Sequence, residues 1–268
     1  MKKLLFYLSL AAWTVLFIYP FLWMISATVR PEQEIGSLNI IPSEVSLYSY
    51  TRVFKKIPIL RAFLNSLFVA TSVTAGTLVF CSVIGYALSR LRFRGRDIIF
   101  YLVLFTMMIP LQITLIPLYI LMVKFGWVNS YLSLIVPWMV SALGIVMFKQ
   151  YFQSIPQDII DAARIDGCGE LRIIFQIIWP ISLPSLITVG IITFMTTWNE
   201  VLWPLIVIRE RELMTMPQLV TIFALGGAAE FQLGVQLAAA TLLALPVIAA
   251  YAFFQKYFIE SVATSGLK

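Results

Sequence analysis

Six stretches of the sequence contain no charged side chain: 4–29, 62–89, 98–123, 125–148, 173–199 and 231–255. Each is longer than the roughly 20 residues a helix needs to cross a hydrocarbon core, and none shows the alternation of a barrel strand. Inside a bilayer every backbone amide must be satisfied by the protein, and a continuous apolar run achieves this as a helix. The sequence therefore predicts an all-α integral membrane protein with six transmembrane helices. The 60% hydrophobic content and the absence of His agree. A seventh uncharged stretch, 213–229, is shorter and contains Thr215, Pro217, Gln218, Thr221, Gly226 and Gly227; it reads as a loop with a short interfacial helix.

Orientation follows from Lys and Arg in short flanks, because cationic loops stay on the cytoplasmic side. Lys2 and Lys3 precede the first span, and Arg90, Arg92, Arg94 and Arg96 crowd the link between spans two and three. Both termini are then cytoplasmic, and the long mixed-charge segment 30–61 lies outside. The net charge of +6 sits at membrane edges without interleaved aromatic platforms, which fits anionic headgroups and excludes nucleic acid. The first uncharged stretch is longer than a signal peptide's apolar region and lacks a small-x-small cleavage site, so it is expected to persist as a span. Cys81 falls inside span two and Cys168 in a cytoplasmic loop, with no spacing for a disulfide or a metal. The expected organisation is a first helix and outer segment over 1–60, a membrane body over 61–255 with a cytoplasmic loop at 150–180, and a tail over 256–268.

Within the spans, Thr77, Cys81, Gly85 and Ser89 place small residues at every fourth position of span two, a face suited to close helix approach. It fits a contact with another subunit or packing within this chain. Span three carries Pro110 and Pro117 with Gln112 between them, predicting a kink. Span five has a polar wall, Thr193, Thr196, Thr197, Asn199 and Glu200. Polar groups at membrane depth face a cavity or a partner, which makes Gln112, Thr193, Thr196, Asn199 and Glu200 candidates for a translocation path. The competing reading takes Trp198, Trp203 and Glu200 as an interfacial belt.

One segment contrasts with the rest. "DIIDAARIDGCGE", residues 158–170, holds four carboxylates, one Arg and two Gly, in a chain only 12% charged. Ser154 and Gln157 have capping-box spacing, and Pro156 suits a first turn. Asp158 and Asp161 favour the positive end of the helix dipole. Ile159, Ala162, Ala163 and Asp166 are placed along one side, and Gly167 is placed to end the helix. The expectation is a short acidic helix with a small-residue shoulder, either seated in a partner's groove or lying on the membrane.

"DAARIDGCGELRIIFQIIWPISLP" resembles the cytoplasmic motif of ABC-importer permeases, Glu-Ala-Ala followed by a Gly and then Ile-x-Leu-Pro. The matching positions are Ala162, Ala163, Gly167, Ile177 and Pro180, with Asp166 before the Gly; Asp161 stands for the usual Glu and Trp179 for the usual Leu. "NSLFVATSVTAGTLVFCSVIGYALSRLRFRGRD", "IPLQITLIPLY", "WNEVLWPLIV" and "LPVIAAYAFFQKYFIESVATSGLK" are similar to the second permease subunit of maltose-type carbohydrate importers. The resemblance implies a type I ABC-importer permease fold in a bacterial or archaeal cytoplasmic membrane. It also implies a second permease subunit, two ATPase subunits and an extracytoplasmic binding protein, with a sugar or oligosaccharide as solute. Residues 154–167 become the coupling helix, with Asp161, Ala162, Ala163, Asp166 and Gly167 facing the ATPase; for the TSGLK ending the resemblance implies an ATPase contact, whereas its polar residues by themselves read as a frayed terminus.

The chain has no G-x-x-x-x-G-K-[ST], so it is not expected to hydrolyse ATP. ATP and Mg belong to the partner ATPase, and the chain itself is expected to hold no cofactor and no metal. Two alternatives stand beside this reading: an ABC importer for another small polar solute, and a secondary transporter or channel. The latter lacks an intramembrane coupling acid other than Glu200 and an inverted repeat.

Overall fold

The computed structural model describes residues 2–36, 41–225 and 232–265, and among them there is no strand. The first uncharged stretch is one helix, α1 (Lys2–Ala27). The segment expected outside holds, among the described residues, a 3-10 turn at Glu32–Glu34 and an amphipathic helix, α2 (Tyr48–Lys56). Span two is α3 (Ile59–Arg90).

Span three is not a kinked helix but two helices, α4 (Arg96–Thr106) and α5 (Leu111–Phe125), bent by 102°. Of its two prolines, only Pro110 marks the break. It adopts an extended ψ of 132° as the residue preceding α5, and the residue before a proline is itself driven out of the helical region. Pro117 stays inside α5, where it removes a single backbone bond. Span four comprises α6 (Tyr131–Ile135), a 3-10 turn at Val136–Trp138 and α7 (Ala142–Gln153).

The segment expected on the cytoplasmic side folds as α8 (Gln157–Ile165). An arm follows, Glu170–Ile181, made of α9 (Glu170–Arg172), a π-helical stretch at Ile173–Ile178 and α10 (Trp179–Ile181). At Ser182 the chain turns by 90° into α11 (Leu183–Trp198). The remaining helices are α12 (Leu202–Val207), α13 (Met216–Leu225) and α14 (Leu233–Ser265). Five of the six predicted stretches fall on a helix or bent helix pair long and apolar enough to cross a membrane; the described part of the sixth falls on α14, which carries helix ten residues into the expected tail. Gly266, Leu267 and Lys268, the end of that tail, lie outside the described residues.

Two compact units form: Met1–Phe63 with Thr215–Ala249, and Leu64–Met214 with Ala250–Lys268. In the first, α1 leaves Leu4, Trp13, Phe17 and Phe21 exposed, an outer surface suited to hydrocarbon and not to water. The Glu32 carboxylate accepts the N–H groups of Leu233 and Gly234, the latter at 3.1 Å, and so caps α14. The stretch 213–229, read as a loop with a short interfacial helix, does hold a short helix, α13, but with Met216, Gln218, Leu219 and Phe223 buried; Gly226 and Gly227 lie outside the described residues. Pro217 lies in its first turn, where its missing N–H breaks nothing.

The second unit has two cores. One gathers Phe148, Phe152, Ile160, Ile173, Ile178 and Tyr86; the other gathers Val69, Val73, Leu134, Trp203 and Val207. The small-residue face of α3 packs within this unit against span four. Cys81 Sγ meets the Ser141 N–H at 3.3 Å, Thr77 Oγ1 the Trp138 carbonyl at 3.4 Å, and a Cβ on Gly85 would stand 2.7 Å from Phe148 Cβ. Of the two readings left open for this face, packing inside the chain is the one observed.

Candidate functional site

Two apolar side chains one turn apart fix α8. Ile160 and Ala163 are buried, with 0% and 5% of their surface exposed, against the core that holds Phe148 and Phe152. Asp158, Ile159, Asp161, Ala162, Ile165 and Asp166 face out. The predicted stripe is therefore split: Ala163 anchors the helix while Ile159, Ala162 and Asp166 belong to the opposite side. The most exposed large apolar side chain of α8 is Ile165, at 86%, which the sequence pattern does not mark.

The helix ends as Gly167 predicts. With φ at +79°, Gly167 occupies the left-handed region. Its N–H bonds the Arg164 carbonyl and the Cys168 N–H bonds the Ala163 carbonyl, both at 3.0 Å. This pair of bonds is a Schellman termination. The start differs from expectation. Pro156 is the N-cap and no side chain caps the helix. Ser154 closes α7 instead, its hydroxyl bonded to the Tyr151 carbonyl at 2.7 Å. Gln157 is drawn sideways, donating from Nε2 to Asp161 at 3.0 Å and accepting from Arg90 Nη1 at 2.9 Å.

These bonds belong to a closed ring. From Arg90 the path runs through Gln157 and Asp161 to Arg164, whose Nη1 lies 3.2 Å from Asp161. Arg164 Nε then reaches Glu170 at 2.9 Å, and Glu170 accepts the Tyr86 hydroxyl at 2.5 Å. Tyr86 and Arg90 stand one turn apart on α3, which closes the ring on that helix. The Glu170 hydrogen bond, foremost, pushes the Arg164 guanidinium further from deprotonation.

Arg90 also donates from Nε to the Phe152 carbonyl at 3.0 Å, and from Nη2 to the carbonyls of Phe152 and Ile155. It thereby adds to the backbone bond that the Phe152 carbonyl already accepts from Ile155, at the end of α7, where a cation also complements the helix dipole. One turn the other way from Tyr86, Ser82 accepts the Trp179 indole N–H at 3.0 Å. Ser82, Tyr86 and Arg90 thus form a line along α3 that grips α7, α8 and the arm. The departure Trp179 from the usual Leu supplies one of these bonds. In sequence the line shows only as polar residues at four-residue spacing, beside the small-residue row that drew attention instead.

The span-five wall is arranged locally. Thr196 bonds the carbonyls of Ile192 and Thr193, and Asn199 Nδ2 the Met195 carbonyl at 2.8 Å. Glu200 accepts the Trp203 N–H at 3.0 Å and so caps α12. Thr196 and Asn199 are exposed, with Thr193 and Glu200 half-buried. Gln112 is exposed in the first turn of α5, and among the described residues no hydrogen bond joins it to the wall. The interfacial-belt alternative fails for the tryptophans: Trp198 and Trp203 are each 1% exposed, and the Trp203 indole donates to the Ser133 carbonyl at 2.8 Å.

Residues 78–264, which contain the whole ring, match the model of the family described as "Binding-protein-dependent transport system inner membrane component". The chain belongs to this family. It is therefore a multi-pass inner-membrane permease subunit of a transport system.

The arabinooligosaccharides transport system permease protein AraQ of Bacillus subtilis (strain 168) is 36% identical over 98% of this chain and 94% of its own. The lactose transport system permease protein LacG of Rhizobium radiobacter is 30% identical over 96% and 93%. The trehalose/maltose transport system permease protein MalG of Thermococcus litoralis is 30% identical over 100% and 98%. A solved bacterial ABC transporter involved in importing the acidic polysaccharide alginate superposes with a TM-score of 0.83 at 23% identity, covering 96% of each chain. This last match establishes the type I permease fold.

Proposed function

We propose that the chain forms half of the translocation path of an ATP-driven importer for a sugar or oligosaccharide. In this reading it pairs with a second permease and receives solute from an extracytoplasmic binding protein. Two separate ATPase subunits drive it through α8. The observation that carries the reading is the outward face of α8: Ala162, Ile165 and Asp166 are exposed beside the Gly167 turn, with the half-exposed Asp161 at its edge joined to the ring that holds the helix. A short helix whose inner side is anchored and whose outer side mixes acid, small and apolar groups is suited to a partner's cleft. The relatives named for arabinooligosaccharide, lactose and trehalose/maltose transport support the solute class.

Nucleotide and Mg would act on the partner, since this sequence has no phosphate-cradling loop. Closure of the ATPase pair displaces α8, and the displacement has two ways into the membrane. One is the ring to α3; the other is the Glu170–Ile181 arm, bent by 90° into α11. The ATPase states must differ in affinity for the two positions of α8, because equal affinity shifts nothing. Gln112, Thr193, Thr196, Asn199 and Glu200 remain the residues proposed to meet solute.

The test is purification of the tagged chain from its native membrane in mild detergent, identification of what co-purifies, and assay of ATP hydrolysis and sugar uptake in liposomes. A second permease and an active ATPase are expected. Recovery of the chain alone, still moving solute without ATP, would replace this reading with a secondary transporter or channel.

A further inference from the structure

The four arginines at the end of span two do not share one role. Arg90 belongs to the ring, and Arg96 pairs with Asp97 at 3.2 Å. Arg92 and Arg94 are exposed, and among the described residues neither has an ion-pair or hydrogen-bond partner. They stand at the turn between α3 and α4, beside a depression of about 480 Å³ lined by Arg92, Phe93, Gly95, Arg96, Asp97 and Ile98. Asp97 is neutralised by Arg96, which leaves Arg92 as the uncompensated charge of the lining, with Arg94 exposed on the same turn outside it.

An apolar stripe starts at its edge. Ile98, Tyr101, Leu102 and Phe105 are exposed and follow the i, i+3, i+4, i+7 spacing of one face of α4. Eleven helical residues rise about 16 Å, close to half of a hydrocarbon core about 30 Å thick. A cationic depression joined end-on to an apolar face one leaflet long matches an amphiphile with an anionic head. A free phosphate would have no use for the stripe.

We infer that the α3–α4 turn is a binding site for an anionic phospholipid of the cytoplasmic leaflet, its headgroup at Arg92 and Arg94 and an acyl chain along α4. The guanidinium groups supply paired donors to the phosphodiester. Phe93 and Ile98 cover the glycerol region.

The test uses the assembled complex as purified, titrated by native mass spectrometry with phosphatidylglycerol or with phosphatidylcholine of the same acyl chains. Preferential retention of phosphatidylglycerol is expected. Arg92→Gln/Arg94→Gln should weaken it about thirtyfold, from the usual contribution of each cation near an anionic surface, while Lys55→Gln/Lys56→Gln should not. No preference between the lipids, equal loss in both variants, or displacement by excess inorganic phosphate would each overturn the assignment. Because removing these arginines can also disturb insertion, the wild-type complex is labelled with a photoactivatable phosphatidylglycerol. Adducts within residues 92–105 are expected; adducts confined to other segments would overturn the site.

Discussion

At the scale of single residues, two glycines carry separate loads. A Cβ at Gly167 would meet nothing within 4 Å, so its only constraint is the left-handed backbone. An L side chain there costs about 1–2 kcal/mol, less for Asn. Gly167→Ala should therefore speed hydrogen exchange of the α8 amides about 5- to 30-fold, with Gly167→Asn between it and wild type; unchanged exchange in both would remove the Schellman turn as the source of order. Gly85 is the opposite case. Its Cβ would lie 2.7 Å from Phe148 Cβ and 3.0 Å from the Lys149 backbone nitrogen, so even Gly85→Ala must push α7 away. The expected loss is about 1–3 kcal/mol, read as a lower unfolding temperature in detergent, and an unaltered temperature would contradict the close approach. Glu200 separates folding from transport. Glu200→Gln keeps an acceptor for the Trp203 N–H, so α12 retains its cap while the charge is lost. On the proposed path, Glu200→Gln should change uptake at unchanged membrane abundance; identical kinetics would remove Glu200 from the path.

At the scale of elements, the sequence displays what the bilayer demands and hides what tertiary structure adds. Six helical segments were readable because hydrocarbon tolerates no charge over a span's length. The 102° and 90° breaks were not, since a proline only permits a bend: Pro110 stands at one and Pro117 continues a helix. The existence of α8 and its Gly167 termination were readable from local chemistry, whereas its start was not, because Ser154 closes α7 and Gln157 is drawn to Arg90 and Asp161. Its buried side was not, because Ile160 and Ala163 are chosen by where α7 and the arm lie, not by the pattern of α8 itself. The ring was invisible for the same reason, as it joins residues as far apart as Tyr86 and Glu170. Magnitudes rank its members. The Arg164 pairs are about a third to a half exposed, and such pairs contribute about 0.2–1 kcal/mol. The buried Tyr86 hydroxyl donates to a carboxylate, a class of bond that contributes about 1.5–3 kcal/mol. Tyr86→Phe should thus destabilise more than Arg164→Ala in chemical unfolding. A double-mutant cycle between Tyr86→Phe and Glu170→Ala should show coupling above 0.5 kcal/mol. Coupling near zero would mean that α3 does not hold the arm through this bond.

At the scale of the whole molecule, the proposed importer makes separable demands on the two sides of α8. The outward side must bind the ATPase, whereas the inward side must pass displacement to α3 and to the arm. Variants on the two sides should therefore fail differently in the assembled complex. Asp166→Lys with Ile165→Asp removes an exposed apolar contact and inverts an exposed charge, so ATPase recovery should fall, and uptake with it. Tyr86→Phe with Arg90→Gln leaves the outward face in place. The complex should still assemble and hydrolyse ATP, yet move less solute for each ATP consumed, because α8 can shift without carrying α3. The readout is the ratio of solute imported to phosphate released in liposomes, alongside the amount of ATPase that co-purifies. If the inward pair loses the ATPase as readily as the outward pair, the ring only shapes the docking helix. If it keeps a wild-type ratio, motion enters the membrane through the bent arm and α11 alone.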